Sequence, residues 1–578
     1  MSTQISTVTT QHKQQPNSNV FHPIEQIERS PAATLEEVVG LRNQGHITQA
    51  TALCRGAVAK HNKHVGLRTM LGVMAMQQKN PELALESFHI AISLRPDDAT
   101  LYVHKARALQ GLRDANAALL SLEQAQKLAP QLAIAWFEYA LLLERIFRYE
   151  ESLVAYDHLL TLTPLDEKVH PNRGNVLNFL FRPHDALLSY ERALAIKPES
   201  LIVQVNQAAT LQKVGCYDAA LDLYAQVLLI KPDHVDAIAN RGNVYFLLKR
   251  YDKAMECYSH AQAINPAHVG ANFNESLCQL LLGNFDIGWR KYEWRWQTKQ
   301  LVRAKRKFQQ PIWLGYESLQ GKTILLHAEQ GLGDTIQFCR YAAWVQSLGA
   351  IVLLEVQATL KTLLSDLAGI NAIYAQGETL PNFDFHCPLL SIPLMHRTTA
   401  STIPVYSQYI VARDAPREKW KGRLASEKRK IGIVCSGSKS HVDDLQRSIS
   451  LERFVKALSE KGELFCLQKE LRPADLEFIG LHKDVHYFGN ELLDFSDTAG
   501  IVDAMDVIVT VDTSVAHLAA AMGKKVFILL PFSPDWRWLL ERVDSPWYPT
   551  MRLFRQPTFG DWDAVLKQIV EFLDNDLN

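Results

Sequence analysis

The stretch TILLHAEQGLGDTIQFCRY, residues 323–341, changes the character of the chain. An apolar run suited to a strand, Thr323–Glu329, leads into two glycines, a carboxylate at Asp334 and an amphipathic helical pattern. Strand, glycine turn and helix in that order open an α/β unit. Upstream of the stretch the chain is helical and repetitive; downstream of it, apolar runs alternate with helical patterns. The chain of 578 residues therefore divides near residue 320.

Upstream, prolines recur every 34 residues, at Pro96, Pro130, Pro164, Pro198, Pro232 and Pro266. Twelve residues before them stand Ala84, Ala118, Ser152, Ala186, Ala220 and Ala254, and eight before them Phe88, Leu122, Tyr156, Tyr190, Tyr224 and Tyr258. Gly or Ala recurs earlier in each unit, at Gly72, Ala106, Ala140, Gly174, Ala208 and Gly242. Two antiparallel helices per unit account for this. Small residues allow close crossing, the larger side chain fills the space between helices, and proline ends the second helix. The pattern resembles the tetratricopeptide repeat. A degenerate unit with Ala50 and Ala57 in phase precedes the six, with Asn62 in place of proline, and a partial unit from about Gly270 ends in GWRKYEWRW. The array is expected over 31–296, behind a disordered polar tail, 1–30, and ahead of a linker, 297–320.

The sixth residue of four successive units is asparagine: Asn172, Asn206, Asn240 and Asn274. A carboxamide both donates and accepts, so a ladder of them pairs with an extended peptide backbone of any sequence. The same residues also suit plain capping or solvation. A similar asparagine ladder belongs to the repeat array of the O-linked N-acetylglucosamine transferases, which grip protein substrates with it. That resemblance implies a protein or peptide partner in the groove.

Downstream, TILLHAE, AIVLLEVQ and AIYAQ alternate with helical patterns at 335–347 and 360–367. After VARDAPREKWKGRLASEKR the alternation restarts with KIGIVCSG, LFCLQ, VHYFG, VIVTVDT and KVFILLP. Such alternation implies parallel sheets with right-handed crossovers. Two Rossmann-like lobes are expected, 321–415 and 429–578, joined by 416–428, with ligands beyond the carboxyl ends of the strands. GLGD lacks the third glycine of G-x-G-x-x-G, since Ile336 stands there, and it is not continued by G-K-[ST]. In the second lobe, VTVDTSVAHLAAAMG ends a strand at Asp512, Thr513 and Ser514 and places His517 in the first turn of a helix. Hydroxyls, the amides of Ser514, Val515 and Ala516, and a histidine at a helix N-terminus suit an anion. They also suit two capping hydroxyls and a histidine at the core's edge.

Together the two motifs resemble the bacterial heptosyltransferase-type glycosyltransferases of GT-B fold. The whole chain resembles bacterial proteins that join such a module to tetratricopeptide repeats, with KYEWRW, EQGLGD, VDTSVAHLA and DWRW…DSPWYPTMRLFRQ in that order. The resemblance implies sugar transfer from a nucleotide-diphosphate donor with inversion. It makes Asp334 the general base; the nucleotide-sugar is expected at Gly333, Ser436 and the Asp512–His517 segment, with Gln468 and Lys469, at the strand end LFCLQK, placed to touch the ribose or base. Where the family carries a phosphate-binding lysine, this chain has SGSKSHVDDLQRSIS, so either Lys439 or Arg447 serves, and the sugar need not be a heptose. Cationic and dipolar stabilisation of the leaving group makes a metal unnecessary to this mechanism. The DWD at Asp561–Asp563 opens the last helix, where a negative charge suits the dipole. Trp536, Trp538 and Trp547, crowded around Arg537, suit either pinning of the last helix or stacking on a base or sugar.

Composition narrows the alternatives. Lys+Arg number 61 against 62 Asp+Glu, which gives no polycationic footprint for nucleic acid. The eight cysteines form no C-x-x-C and no His cluster joins them, which suits unpaired thiols in a reducing cytoplasm. The first thirty residues lack the apolar core of a signal peptide, and no apolar run approaches the ~20 residues of a membrane span. The two resemblances imply as partners a nucleotide-sugar, as co-substrate rather than cofactor, and a protein acceptor. Two other readings stay open: a repeat scaffold with a decayed transferase, and a transferase acting on lipid-linked or polysaccharide acceptors.

Overall fold

The computed structural model of the chain describes residues 30–302, 304–424, 426–438, 444–482 and 484–575. The expected tail lies outside them except for Ser30. The chain separates into two compact units, one ending at Leu180 and the other beginning at Phe181, a division that falls inside the repeat array.

Sixteen α-helices run from Pro31–Asn43 to Phe285–Tyr292, two to each unit of the repeat, including the degenerate first and partial last units. The repeat signature is explained by packing. The small residues Ala84, Ala118, Ser152, Ala186, Ala220 and Ala254 are buried, as are the larger residues four positions on. A Cβ on Gly72 would stand 2.5 Å from the Phe88 ring, and one on Gly242 2.8 Å from Tyr258. A second periodic feature carries no residue-type signal. Every turn within a helix pair is closed by one residue with positive φ: Gly45, Lys79, Arg113, Phe147, Phe181, Gly215, Lys249 and Gly283, again 34 apart.

The remainder holds two parallel sheets. The first contains β1 (Thr323–His327), β2 (Ile351–Val356), β3 (Ala372–Ala375) and β4 (Phe385–Pro388), in the order β3-β2-β1-β4. The second contains β5 (Lys430–Val434), β6 (Glu463–Cys466), β7 (Val485–Tyr487), β8 (Val507–Val511), β9 (Val526–Leu530) and β10 (Met551–Arg555), in the order β10-β9-β8-β5-β6-β7. The central strands are buried along nearly their whole length, as expected of parallel strands covered on both faces. The pattern expected at 335–347 is split into helices Leu332–Phe338 and Ala342–Ser347 by a short 3-10 turn. That at 360–367 shrinks to helix Ala358–Lys361. β4, β10 and the helix Pro473–Leu481 carry no clear period in the sequence.

Neither expected connector is a bare linker. Within 297–320, Trp313 is buried and donates its backbone N–H to the His386 carbonyl of β4 at 2.8 Å. The connector placed at 416–428 contains most of the helix Asp414–Arg423, whose Pro416 carbonyl lies against Gly500 of the helix Phe495–Asp503, so close that a Cβ there would stand 2.6 Å away. Glycine is needed at that crossing. The end of the array is likewise part of the α/β core. Trp289 donates its indole N–H to the Thr398 carbonyl at 3.0 Å and meets Trp536 edge-on at 5.2 Å. Arg295 is fully buried and donates to Ser391 at 2.7 Å and Glu329 at 3.0 Å. All eight cysteines are unpaired, and among the described residues no helix is long and apolar enough to cross a membrane.

Candidate functional site

A cleft of about 1250 Å³ lies within residues 181–578, at the carboxyl ends of β1, β5, β6 and β8. Three groups of residues wall it. The repeats supply Asn243, Phe246, Phe273 and Asn274; the first sheet supplies the loop Gly331–Asp334 and Thr359. The second sheet supplies the loops after β5, β6, β8 and β9.

Asp334 sits in the first turn of the helix Leu332–Phe338 and accepts from the Gly331 N–H at 2.8 Å, which closes the turn. Its other carboxylate oxygen accepts from Arg537 in a close ion pair. Gly333 serves packing as well as lining the cleft: a Cβ there would stand 2.9 Å from the His517 ring and 3.4 Å from the Ser514 Cα. The helix carrying Asp334 and the helix Ser514–Ala521 therefore meet at a glycine.

At that second helix, the first helical bonds run from the Ala516 and His517 N–H groups to the Thr513 carbonyl, at 3.1 and 3.4 Å. The amides of Ser514 and Val515 precede those bonds. Thr513, Ser514 and Val515 line the cleft, while Ala516 is buried behind them. His517 lines it too, yet the residue is only 5% exposed. Its Nδ1 pairs with the Tyr548 hydroxyl at 3.0 Å and its ring stacks on Trp538. Burial, then Arg537 and Arg340, hold the imidazole well below its ordinary range, so the ring is neutral and offers polarity rather than charge. Asp512 accepts from the Trp538 indole at 2.8 Å; burial, then the Asp535 charge, push its carboxyl up to about 6.

Arg447 brings positive charge next to this helix start. Its guanidinium lies over Gly437, donates to the Asp512 carbonyl at 2.9 Å and keeps its buried Nε without a partner among the described residues. Lys439, the other candidate, lies outside the described residues. Gln468 is committed internally: its carbonyl oxygen accepts from the Cys435 and Ser436 N–H groups at 2.8 and 3.3 Å, and its amide donates to the Ser436 hydroxyl at 2.8 Å. Gln468 and Ser436 thus shape the cleft floor by holding each other. Lys469 lines the rim and donates to the Leu493 carbonyl at 3.2 Å.

Of the asparagine ladder, Asn274 reaches the cleft. It donates to Asn243, which also accepts from the Tyr258 hydroxyl at 3.0 Å. Asn172, Asn206 and Asn240 are half-buried on their helices and are not among the lining residues. The tryptophans do not pin the last helix, Trp562–Asn575. Trp536 packs on Trp289 and Tyr292, and Trp547 on Phe338. Asp561 caps that last helix by accepting from the Ala564 N–H at 3.0 Å. Residues that the sequence did not assign to the site complete the cleft: Arg537, Arg472, Asn243 and Ser533. Only Arg537 carried a sequence signal, as a lone cation between two tryptophans and two residues after Asp535.

Two segments, 99–132 and 235–268, match the family model of the tetratricopeptide repeat. The helical part is a tetratricopeptide-repeat array. The chain is 24% identical over 318 residues to protein FlbA of Caulobacter vibrioides, a match covering 50% of this chain and 52% of that protein. It thus spans about half the length of that relative. Among solved structures, YrrB, described as a TPR protein with an unusual peptide-binding site, is 26% identical, with a TM-score of 0.30 over 34% of this chain and all of YrrB. Pseudomonas aeruginosa pilF is 15% identical, with a TM-score of 0.32 over 36% of this chain and 94% of its own.

Proposed function

We propose that the α/β part is a glycosyltransferase of the two-lobed GT-B kind, using a nucleotide-diphosphate sugar and a protein acceptor led to the cleft by the repeats. One observation carries this reading: a carboxylate from the first sheet, Asp334, lines the same cleft as the amide-bearing end of the helix Ser514–Ala521 and Arg447 from the second. The acceptor hydroxyl attacks the anomeric carbon and passes its proton to Asp334. The bond from that carbon to the diphosphate oxygen breaks, and the nucleoside diphosphate leaves with its electron pair. Each carboxylate oxygen of Asp334 holds one internal donor and keeps room for another. The growing diphosphate charge meets Arg447 and the Ser514 and Val515 amides, donors already fixed in place. The paired amides of Asn243 and Asn274 face the same space, which favours an acceptor with backbone or hydroxyl groups to bond.

The test is release of nucleoside diphosphate from a panel of nucleotide-sugars, with wild type and Asp334→Asn compared. Turnover in the variant should fall about 10²-fold or more, with nucleoside-diphosphate binding retained. Binding without turnover on any donor, by the wild type itself, would favour the scaffold.

A further inference from the structure

Arg537 stands between β9 and β10, in the 3-10 turn Trp536–Trp538, and is 8% exposed. Burying a guanidinium is costly unless its donors are matched by charge and hydrogen bonds. Here the Nε donates to the Gln337 side-chain oxygen at 2.6 Å, one terminal nitrogen to Asp535 at 2.9 Å, and the other to Asp334. Asp535 also accepts from the Arg537 backbone N–H at 2.9 Å, which fixes the turn. The guanidinium plane lies over the Trp536 ring at 4.4 Å, and Trp536 rests against Trp289 and Tyr292 from the last repeat. Burial alone would weaken its charge, and the Asp535 and Asp334 carboxylates outweigh that, so the cation is held firmly charged. Gln337 and Asp334 lie on one helix, three residues apart, so a single guanidinium grips that helix at two adjacent points.

We propose that Arg537 is the positioning residue of Asp334: it fixes which carboxylate oxygen faces the cleft, and the last repeat holds it there through Trp536. The proposal rests on the reading of Asp334 as base. Asp334 is tied to a cation that cannot give up its proton, so the pair orients the carboxylate without competing for the acceptor's proton. A lysine has neither the plane nor the fork to hold Gln337, Asp535 and Asp334 together. Arg447, by contrast, lies over Gly437 and reaches Asp512, on the side that the proposed function gives to the diphosphate.

The experiment compares wild type with Arg537→Lys and Arg537→Gln on the donor the panel identifies. In Arg537→Gln, kcat should fall about 10²-fold with the donor KM kept within about twofold. Arg537→Lys should fall between. Introduced into Asp334→Asn, the Gln substitution should add less than about threefold, since two residues acting as one unit are not additive. A donor KM that rises while kcat stays constant would make Arg537 a diphosphate ligand instead. Equal fold losses in both backgrounds would uncouple it from Asp334. A second readout needs no turnover: carbodiimide amidation of Asp334, with mass spectrometry of peptide 323–340. Losing its cover, the carboxylate should be labelled about fivefold faster or more in Arg537→Gln, with Arg537→Lys as the control that keeps the charge. Equal labelling overturns the positioning role alone. Full turnover by Asp334→Asn would instead remove the base and, with it, the function this pairing serves.

Discussion

Among single residues, His517 shows how burial changes a motif's chemistry. The sequence places it at a helix start suited to an anion, yet its ring is enclosed by Trp538 and Tyr548 and kept neutral. An unfolded histidine takes up a proton below its ordinary range near pH 6.5, and the folded ring does not. The stabilisation is therefore full above that range and lost as pH falls through it, at up to about 1.4 kcal/mol per pH unit. His327, pushed down to about 3 by burial and then by His386, acts in the same sense. Asp512, raised by burial to about 6, and Glu329, raised by burial to about 7, act oppositely. Their contribution is full below the ordinary carboxylate range and lost as pH rises through those values. The four groups oppose one another between about pH 4.5 and 6. In His517→Ala the urea midpoint should drop by the equivalent of about 1–3 kcal/mol at neutral pH, from the lost stack and the lost hydrogen bond to the Tyr548 hydroxyl. Below pH 6.5 the variant's stability should then decline less steeply on acidification than the wild type's. An unchanged midpoint at neutral pH would contradict the enclosed ring.

Among the helices, strands and turns, legibility depended on side-chain type. The 34-residue period, the paired helices and the central strands are plain because each depends on residues of one kind at fixed spacing. The left-handed turn residue of each repeat is hidden because Lys79, Arg113, Phe147, Phe181 and Lys249 share no chemistry with Gly45, Gly215 and Gly283. There the helix packing dictates backbone conformation and non-glycine residues accept the strain. β4 and β10 are edge strands, and their His386, Arg552 and Arg555 break the apolar run that marks the centre of a parallel sheet. Helix Gly72 offers a sharp test of repeat packing. Alanine in a helix is ordinarily favoured over glycine by about 1 kcal/mol. Here its Cβ would stand 2.5 Å from the Phe88 ring, so Gly72→Ala should destabilise by about 1–3 kcal/mol. The next repeat pairs Ala106 with Leu122. Adding Phe88→Leu copies that pairing and should recover much of the loss in denaturant unfolding. A stabilised Gly72→Ala would show that the helices separate freely.

At the scale of the whole chain, the sequence reads as repeats and an α/β part in succession, joined at 297–320. The aromatic end of the array instead lies inside the α/β core: Trp289, Tyr292 and Phe285 share one buried cluster with Phe338, Trp536 and Trp547. The signal is present in GWRKYEWRW, an aromatic run too dense for an exposed final helix, but its partners lie from 34 residues away, at Glu329, to 109 and beyond, at Thr398 and Trp536, and no local period points to them. The site is legible to a similar degree. Asp334 and the Asp512–His517 segment are marked by their motifs, whereas Arg537 and Asn243 enter the cleft through long-range packing. Sharing a core makes the last repeat and the first sheet mutually dependent. Trp289→Ala removes a buried indole, its 3.0 Å bond to the Thr398 carbonyl and its edge contact with Trp536. A loss of about 3–5 kcal/mol is expected. Hydrogen exchange in mild denaturant should then rise together in the helices Val269–Leu281 and Phe285–Tyr292 and in β1, β2 and β4, because one cavity undermines both. If β1 kept wild-type protection while those helices opened, the array and the α/β part would be independent bodies, and Trp536 would have no repeat to lean on.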